Sequence, residues 1–148
     1  GESNKWDEKK KDYFYKELLT KNDLLEWLRH GMFIGSHGKS HKSLIKLSEE
    51  QIRSEIYNSK NEIEDFVGTN IDTFSYPFGQ INKYSAKTVK EIYNFGVTTV
   101  RSRFNTIKHK AYYIPRIHMS NDLSNFKIFL KLKTIYEDIR YNEKQLYM

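Results

Sequence analysis

Short apolar segments and longer amphipathic segments alternate along this chain of 148 residues. The short segments, at residues 32–34, 72–76, 97–100 and 112–117, are predicted to be strands. Strands that alternate with helices of this length form parallel βα units. The predicted fold class is therefore α/β, with a parallel sheet or barrel, and the functional residues are expected just after the strands, at their carboxyl ends.

Four helices are predicted from local start and stop signals. Their starts are predicted at Thr20, Ser48, Ser85 and Asp122, and the first three are predicted to end at Gly31, Gly68 and Gly96. The second helix has the clearest signal, because Ser48 and Gln51 form a capping box and apolar residues then recur at helical spacing.

Length and composition predict one globular domain, residues 1–148, in which residues 1–19 form a charged lead-in segment. Hydrophobic residues make up 38% of the chain and aromatic residues 15%, a composition that argues against intrinsic disorder. There is no Cys, so no disulfide can form, and this leaves the compartment open. No membrane span and no signal peptide are predicted, and the localisation stays unknown from the residues alone.

The charge balance is basic, with 25 Lys and Arg against 19 Asp and Glu, or +6. Some of the lysines form three short runs, around residues 9–11, 39–46 and 127–133, each interleaved with or followed by acidic residues. Such runs are typical of solvated faces, and the clustered basic stripe of a nucleic-acid surface is not found. We expect no nucleic-acid partner.

Two histidines, His37 and His41, follow the first predicted strand. Imidazoles at this spacing can meet on one side of a turn and bind zinc or a similar metal. The alternative is a structural role in hydrogen bonding. Gly38 stands where the His-Glu-x-x-His metalloprotease motif has its Glu, so that motif is excluded. No functional role is expected for His30 or His109.

The segment Tyr76-Pro77-Phe78-Gly79 follows the second predicted strand. Pro fixes one backbone angle and Gly relieves crowding, so this loop can be rigid and can direct backbone N–H groups at a ligand. The alternative is an ordinary aromatic turn that covers the core.

Taken together, the ordered motifs between residues 31 and 129 resemble the polysaccharide deacetylase family, the NodB-homology carbohydrate esterases. The motifs are Gly35-Ser36-His37-x-x-x-His41-x-x-Leu44, Leu47-Ser48, Glu55-Ile56-x-x-Ser59-Lys60, Phe74-Ser75-Tyr76-Pro77-Phe78-Gly79, Gly96-Val97-Thr98-Thr99 and Ile114-Pro115-Arg116-Ile117.

This resemblance implies a distorted, incomplete (β/α) barrel and a metal-dependent enzyme, usually with zinc, that removes acetyl groups from N-acetylated polysaccharide or oligosaccharide. It implies that His37 and His41 are metal ligands and that the Phe78 backbone N–H stabilises the oxyanion. It also implies that Tyr76, Pro77 and Gly79 border the substrate. A cell-envelope or extracellular location is implied in the same way.

The chain departs from the family pattern in three places. It has no Asp-Asp pair, which in the family supplies the catalytic base and a metal ligand. Ser75 stands where many members have an Arg, for which Arg116 could substitute, and His118 could replace the general acid of the late Leu-x-His motif. We therefore expect a truncated domain that lacks about one opening βαβ unit, is inactive alone, binds zinc weakly or not at all, and self-associates or pairs with another chain. The alternative is a non-catalytic carbohydrate-binding or interaction domain.

Overall fold

The computed structural model describes residues 17–102 and 110–139. Most of the charged lead-in segment and His109 lie outside the described residues. Within these residues, five α-helices and two strands are defined: α1 (Lys21–Arg29), α2 (Glu49–Val67), β1 (Thr73–Ser75), α3 (Lys83–Ile92), β2 (Phe95–Val97), α4 (Asn125–Lys133) and α5 (Tyr136–Ile139). Within the described ranges, no helix has the length and apolarity that a membrane span requires.

The first two helices begin where the sequence predicts. At α2, the Ser48 side chain accepts from the Gln51 N–H and the Gln51 side chain accepts from the Ser48 N–H, which confirms the capping box. Thr20 caps α1 in the same reciprocal way with Asp23. Gly68 follows α2 in the left-handed conformation that favours glycine, with φ of 75°.

The predicted starts of the last two long helices are wrong by a few residues. The cap of α3 is Asn82, whose side chain accepts from the Ser85 N–H at 2.8 Å, so Ser85 lies inside the first turn. The cap of α4 is Ser124 and not Asp122. The long helix predicted at the carboxyl end is interrupted at Thr134, whose extended backbone separates α4 from α5.

The sheet is parallel but smaller than predicted. Strands β1 and β2 pair in parallel, and single parallel bridges add Ser36 beside Phe74 and Ile114 beside Val97. Residues 32–34 are not a strand, and the Met32 N–H is bonded to the Trp27 carbonyl at the end of α1. The predicted strands at 97–100 and 112–117 are likewise wrong in extent. Strand β2 begins at Phe95 and ends at Val97, and in the latter segment Ile114 forms a single bridge and the Arg116 N–H donates to the Val100 carbonyl at 2.8 Å.

Close backbone approach explains where β2 lies. A Cβ built on Gly96 would lie 2.6 Å from the Tyr112 carbonyl oxygen, so only glycine allows these two segments to approach this closely. The Ile114 N–H then donates to the Gly96 carbonyl at 2.7 Å. This contact is non-local, and it fixes the pairing position of both segments.

The core lies between the parallel segments and the helices α2 and α3. It contains mainly aliphatic and aromatic side chains: Leu44, Ile52, Ile56, Val67, Ile71, Phe74, Tyr76, Ile81, Ala86, Val89, Tyr93 and Val100. Because the paired segments are parallel, the residues that follow them are brought to one edge. Those residues are the loop after Ser36, the loop after β1, the loop after β2 and the segment after Ile114.

Candidate active site

The two histidines of the first loop are close together and exposed. The ring centroids of His37 and His41 are 4.9 Å apart. The His37 Nδ1–H donates to the Ser75 carbonyl oxygen at 2.6 Å, at the end of β1. In the neutral ring this bond selects the tautomer with Nδ1–H, which leaves the lone pair on Nε2, as is usual in a metal-ligating histidine.

The loop after β1 begins with a 3₁₀ turn, Pro77–Gly79, whose middle residue has an unusual backbone. Phe78 has φ of 58° and ψ of 6°, and its side chain is 58% exposed. Its ring centroid lies 4.7 Å from that of His41. The Gly79 N–H donates to the Tyr76 carbonyl at 2.9 Å, whereas no hydrogen bond from the Phe78 N–H is found among the described residues.

Gly79 is required by both conformation and space. Its φ is 67°, and a Cβ built there would lie 1.8 Å from Thr99 Oγ1 and 2.7 Å from Thr99 Cβ. No side chain fits at this position without moving Thr99. The loop after β1 is thereby packed directly against the loop after β2.

Tyr76 itself lies in the core. Its hydroxyl donates to the Tyr112 carbonyl at 3.0 Å, and burial raises the pKa of the Tyr76 phenol far above its usual range. The ring and Pro77 are buried, so of this loop it is the Phe78 side chain that projects into solvent.

A cleft of about 550 Å³ adjoins this loop. It is lined by Thr99, Arg101, Arg116, Ile117, His118 and Met119. Arg116 Nε donates to the Thr98 carbonyl at 2.6 Å, which holds one side of the guanidinium against the end of β2. Arg116 and His118 thus line the same cleft. Thr99 also lines this cleft and packs against Gly79 of the loop after β1.

The family of the chain follows from a comparison of its sequence with families of known proteins. The sequence profile of the polysaccharide deacetylases matches residues 4–100, more than half of the chain. The chain belongs to the polysaccharide deacetylase family. The resemblance inferred from its motifs is thereby confirmed. Over 86 residues it is 33% identical to YxkH of Bacillus subtilis (strain 168), whose name also assigns it to the polysaccharide deacetylases.

Solved deacetylase structures share the fold. The Streptococcus pyogenes deacetylase PplD, in complex with acetate, matches with a TM-score of 0.73 and 22% identity over 78% of this chain. BA0330 from Bacillus anthracis matches with a TM-score of 0.72 and 22% identity over 80% of this chain. The chain spans 31% of YxkH, 51% of PplD and 38% of BA0330. The α/β class is confirmed, and the match covers part of the deacetylase fold.

The polysaccharide deacetylase family is typically metal-dependent. The donor chemistry of the first loop fits a divalent metal, because two imidazoles lie together and one is anchored through Nδ1. Within residues 17–102 and 110–139, no group of three or more His, Cys, Asp or Glu side chains is placed to hold a metal ion. The described residues therefore bring two candidate ligands, His37 and His41, close together.

Two residues of this edge were not predicted from the sequence. Thr99 packs on Gly79, and Arg101 lines the cleft beside Arg116 and His118. The signal that could have indicated them is position, since both follow β2 and the carboxyl ends of parallel strands share an edge.

Proposed function

We propose that this chain is part of a metal-dependent N-deacetylase that hydrolyses the acetamide of an N-acetylated polysaccharide or oligosaccharide. We further propose that residues 1–148 form one domain, a partial and distorted (β/α) barrel without the first βαβ unit. The observation that carries the proposal is the His37 and His41 pair, with centroids 4.9 Å apart and His37 Nδ1 anchored on the Ser75 carbonyl.

His37 and His41 would hold the metal through ring nitrogens. A divalent metal bound there would polarise the acetamide carbonyl and lower the pKa of a water molecule. The hydrogen bond to Ser75 keeps the His37 ring in one tautomer and one orientation. This removes the reorientation that metal binding would otherwise require.

The loop after β1 supplies the oxyanion donor in this proposal. As water adds to the acetamide carbon, negative charge develops on the carbonyl oxygen, and a rigid N–H near it lowers the barrier. The Phe78 N–H is the donor, and the exposed Phe78 ring lies against His41. In this proposal Tyr76, Pro77 and Gly79, which are buried, hold this backbone from beneath, so Phe78 is the residue through which the loop meets the substrate.

Proton transfer is assigned to the neighbouring cleft. Amide hydrolysis also requires a base for the attacking water and an acid for the departing amine. We assign the acid to His118 and assign to Arg116 the orientation of the base, which in the family is an Asp. The sequence has no Asp-Asp pair, so we propose that the base and the third metal ligand lie outside the motifs found in this chain.

The edge of the sheet supports a further expectation about association. Ser36 bridges to Phe74 on one side, and the preceding Met32 and Phe33 are exposed, Phe33 to 98%. We propose that this edge is covered by another strand or by a second copy of the chain. Sedimentation of the 148-residue chain should reveal self-association, and a strictly monomeric chain at high concentration would contradict the second-copy arrangement.

A zinc titration with histidine variants tests the proposal. We expect the 148-residue chain to bind Zn²⁺ weakly, since two imidazoles alone are an incomplete ligand set. His37→Ala and His41→Ala should each remove the binding measured by calorimetry. His30→Ala is the matched control, because His30 lies at the end of α1 and is mostly exposed. Binding that survives loss of both site histidines would contradict the proposal.

The second candidate is a carbohydrate-binding domain without hydrolysis. The observation that favours it is that the described residues assemble two metal-ligating side chains and no group of three. In its full natural length, a binding protein would retain chito-oligosaccharide without releasing acetate. An enzyme would release acetate in a manner that depends on His37 and His41.

A further inference from the structure

The loop that carries the two histidines has a backbone that needs support. Gly38 has φ of 81° and His41 has φ of 52°. A left-handed conformation is normal for glycine but unfavourable for histidine, so it persists where surrounding contacts hold it. His37 is anchored by the Ser75 carbonyl. The question is what holds the His41 end.

A carboxylate on the neighbouring helix contacts this end of the loop directly. The Ser40 N–H donates to Glu55 Oε2 at 2.9 Å, and the Ser40 hydroxyl donates to Glu55 Oε1 at 2.5 Å. Both carboxylate oxygens of Glu55 are therefore used on the residue next to His41. Hydrogen bonds to a charged acceptor are stronger than those to a neutral one.

Glu55 stands on a rigid support. It lies in α2, a helix of 19 residues whose neighbouring side chains Ile52, Ile56 and Ser59 are buried. The Glu55 carboxylate also lies next to Gly38 of this loop: a Cβ built on Gly38 would be 3.6 Å from Glu55 Oε2. The packed helix thus fixes the position of the Glu55 backbone.

A second acidic residue of α2 provides a contrast. Glu62 pairs with Lys39 in the same loop, but both side chains are about half exposed. Exposed ion pairs between flexible side chains fix geometry poorly. Glu62 contacts the loop through the Lys39 side chain, whereas Glu55 accepts a hydrogen bond from the loop backbone, at the Ser40 N–H.

We propose that Glu55 is a positioning residue for the His37 and His41 pair and acts through Ser40. This inference rests on the proposed metal site and names a residue that touches neither the metal nor the substrate. Supporting groups of this kind commonly change metal affinity by about 10- to 100-fold when removed.

The test is a Zn²⁺ titration of the 148-residue chain, followed by NMR signals of the imidazole rings. Glu55→Ala should weaken Zn²⁺ binding by about tenfold and should speed hydrogen exchange at the Ser40 amide. Glu55→Gln should recover most of the affinity, because the amide oxygen can accept from the Ser40 N–H and the amide NH₂ can donate to the Ser40 hydroxyl. Glu62→Gln is the matched control and should bind as the parent does.

A second pair of variants keeps the test valid if Glu55→Ala does not fold. Ser40→Ala removes one of the two hydrogen bonds at an exposed position and should give a smaller loss. In the folded chain, Ser40→Ala combined with Glu55→Ala should bind no more weakly than Glu55→Ala alone, since one residue acts through the other.

The outcomes separate the two proposals. Parent-like affinity in Glu55→Ala or, if that variant does not fold, in Ser40→Ala would overturn the positioning role and leave the metal site intact. No response of His37 and His41 to Zn²⁺ in the parent would overturn both. An equal loss in Glu62→Gln would show a general effect of charge.

Discussion

The two loops that meet at the candidate site are held by different forces. The loop of His37 and His41 is exposed and is held by polar contacts, from Ser75 on one side and from Glu55 on the other. The loop around Phe78 is held by packing, with Gly79 pressed against Thr99. Substitutions that change charge or hydrogen bonding should therefore affect the histidine loop most, and substitutions that add side-chain volume should affect the Phe78 loop most.

This difference matches the roles proposed for the loops. A metal ligand can tolerate small adjustments when the ion binds, because flexible side chains carry the ligating atoms. An oxyanion donor is a backbone N–H, and its direction is set only by the fold of the loop. Close packing is therefore suited to the Phe78 loop, and side-chain hydrogen bonds to the histidine loop.

The largest effect is expected from adding volume to the packed loop. Gly79→Ala should lower the free energy of unfolding by roughly 3 kcal/mol, from a left-handed backbone and an overlap with Thr99. Gly68→Ala is the matched control: Gly68 also has positive φ, but nothing lies within 4 Å of its added Cβ. In Gly68→Ala the free energy of unfolding should fall by about 1 kcal/mol. Urea denaturation measures both.

A rescue variant sharpens this expectation. Thr99→Gly removes the atoms that the added Cβ would meet. Gly79→Ala combined with Thr99→Gly should therefore recover the part of the stability loss that comes from the overlap with Thr99. Equal losses for Gly79→Ala and Gly68→Ala would show that packing against Thr99 does not hold this loop.

A smaller effect is expected at the base of the packed loop. Tyr76→Phe removes the hydrogen bond to the Tyr112 carbonyl and should lower the free energy of unfolding by about 1 kcal/mol at neutral pH. Because burial holds the pKa of Tyr76 above its ordinary value of about 10 in the folded chain, the stability that the neutral phenol contributes is present below pH 10 and is lost as pH rises through the folded value.

The pH dependence gives the measurement for Tyr76. Above pH 10 the parent should lose up to about 1.4 kcal/mol per pH unit through this phenol, and Tyr76→Phe should have a shallower slope. Tyr93, whose pKa is also raised by burial, remains in both proteins, so the difference between them isolates Tyr76. Identical slopes between pH 10 and 11 would contradict this interpretation.

The smallest effect is expected in the exposed loop. The hydrogen-bonded ion pair with Glu62 raises the pKa of Lys39 above 10.5. The stability that this pair contributes is therefore present below pH 10.5 and is lost as pH rises through the pKa of Lys39 in the folded chain. The Lys39 and Glu62 side chains are both about half exposed. Glu62→Gln should therefore leave the urea midpoint unchanged in moderate salt. A clear drop in the midpoint would show that this surface pair stabilises the loop.

Local signals in the sequence predicted the helices better than the sheet. Ser48 and Gln51 define the start of α2 within one helical turn, and the structure follows them. The start of β2 depends instead on the approach of Gly96 to Tyr112, which are distant in sequence. No local pattern indicates which segments will pair, so the predicted strand ends were wrong there.

The site was predicted in part for the same reason. His37, His41 and Phe78 belong to short ordered motifs, and the structure brings their rings together. The contacts of Glu55 and Thr99 with these motifs cross between elements and depend on tertiary packing. Motifs identify candidate chemical groups, whereas the groups that hold them are found only once the elements are packed.

Acetate release by the protein in its full natural length tests the central claim most directly. With Zn²⁺ and an N-acetylated chito-oligosaccharide, we predict acetate release that His37→Ala and His41→Ala abolish and His30→Ala leaves unchanged. Retention of the oligosaccharide without acetate release in the parent, or release that persists when both His37 and His41 are replaced, would contradict the claim.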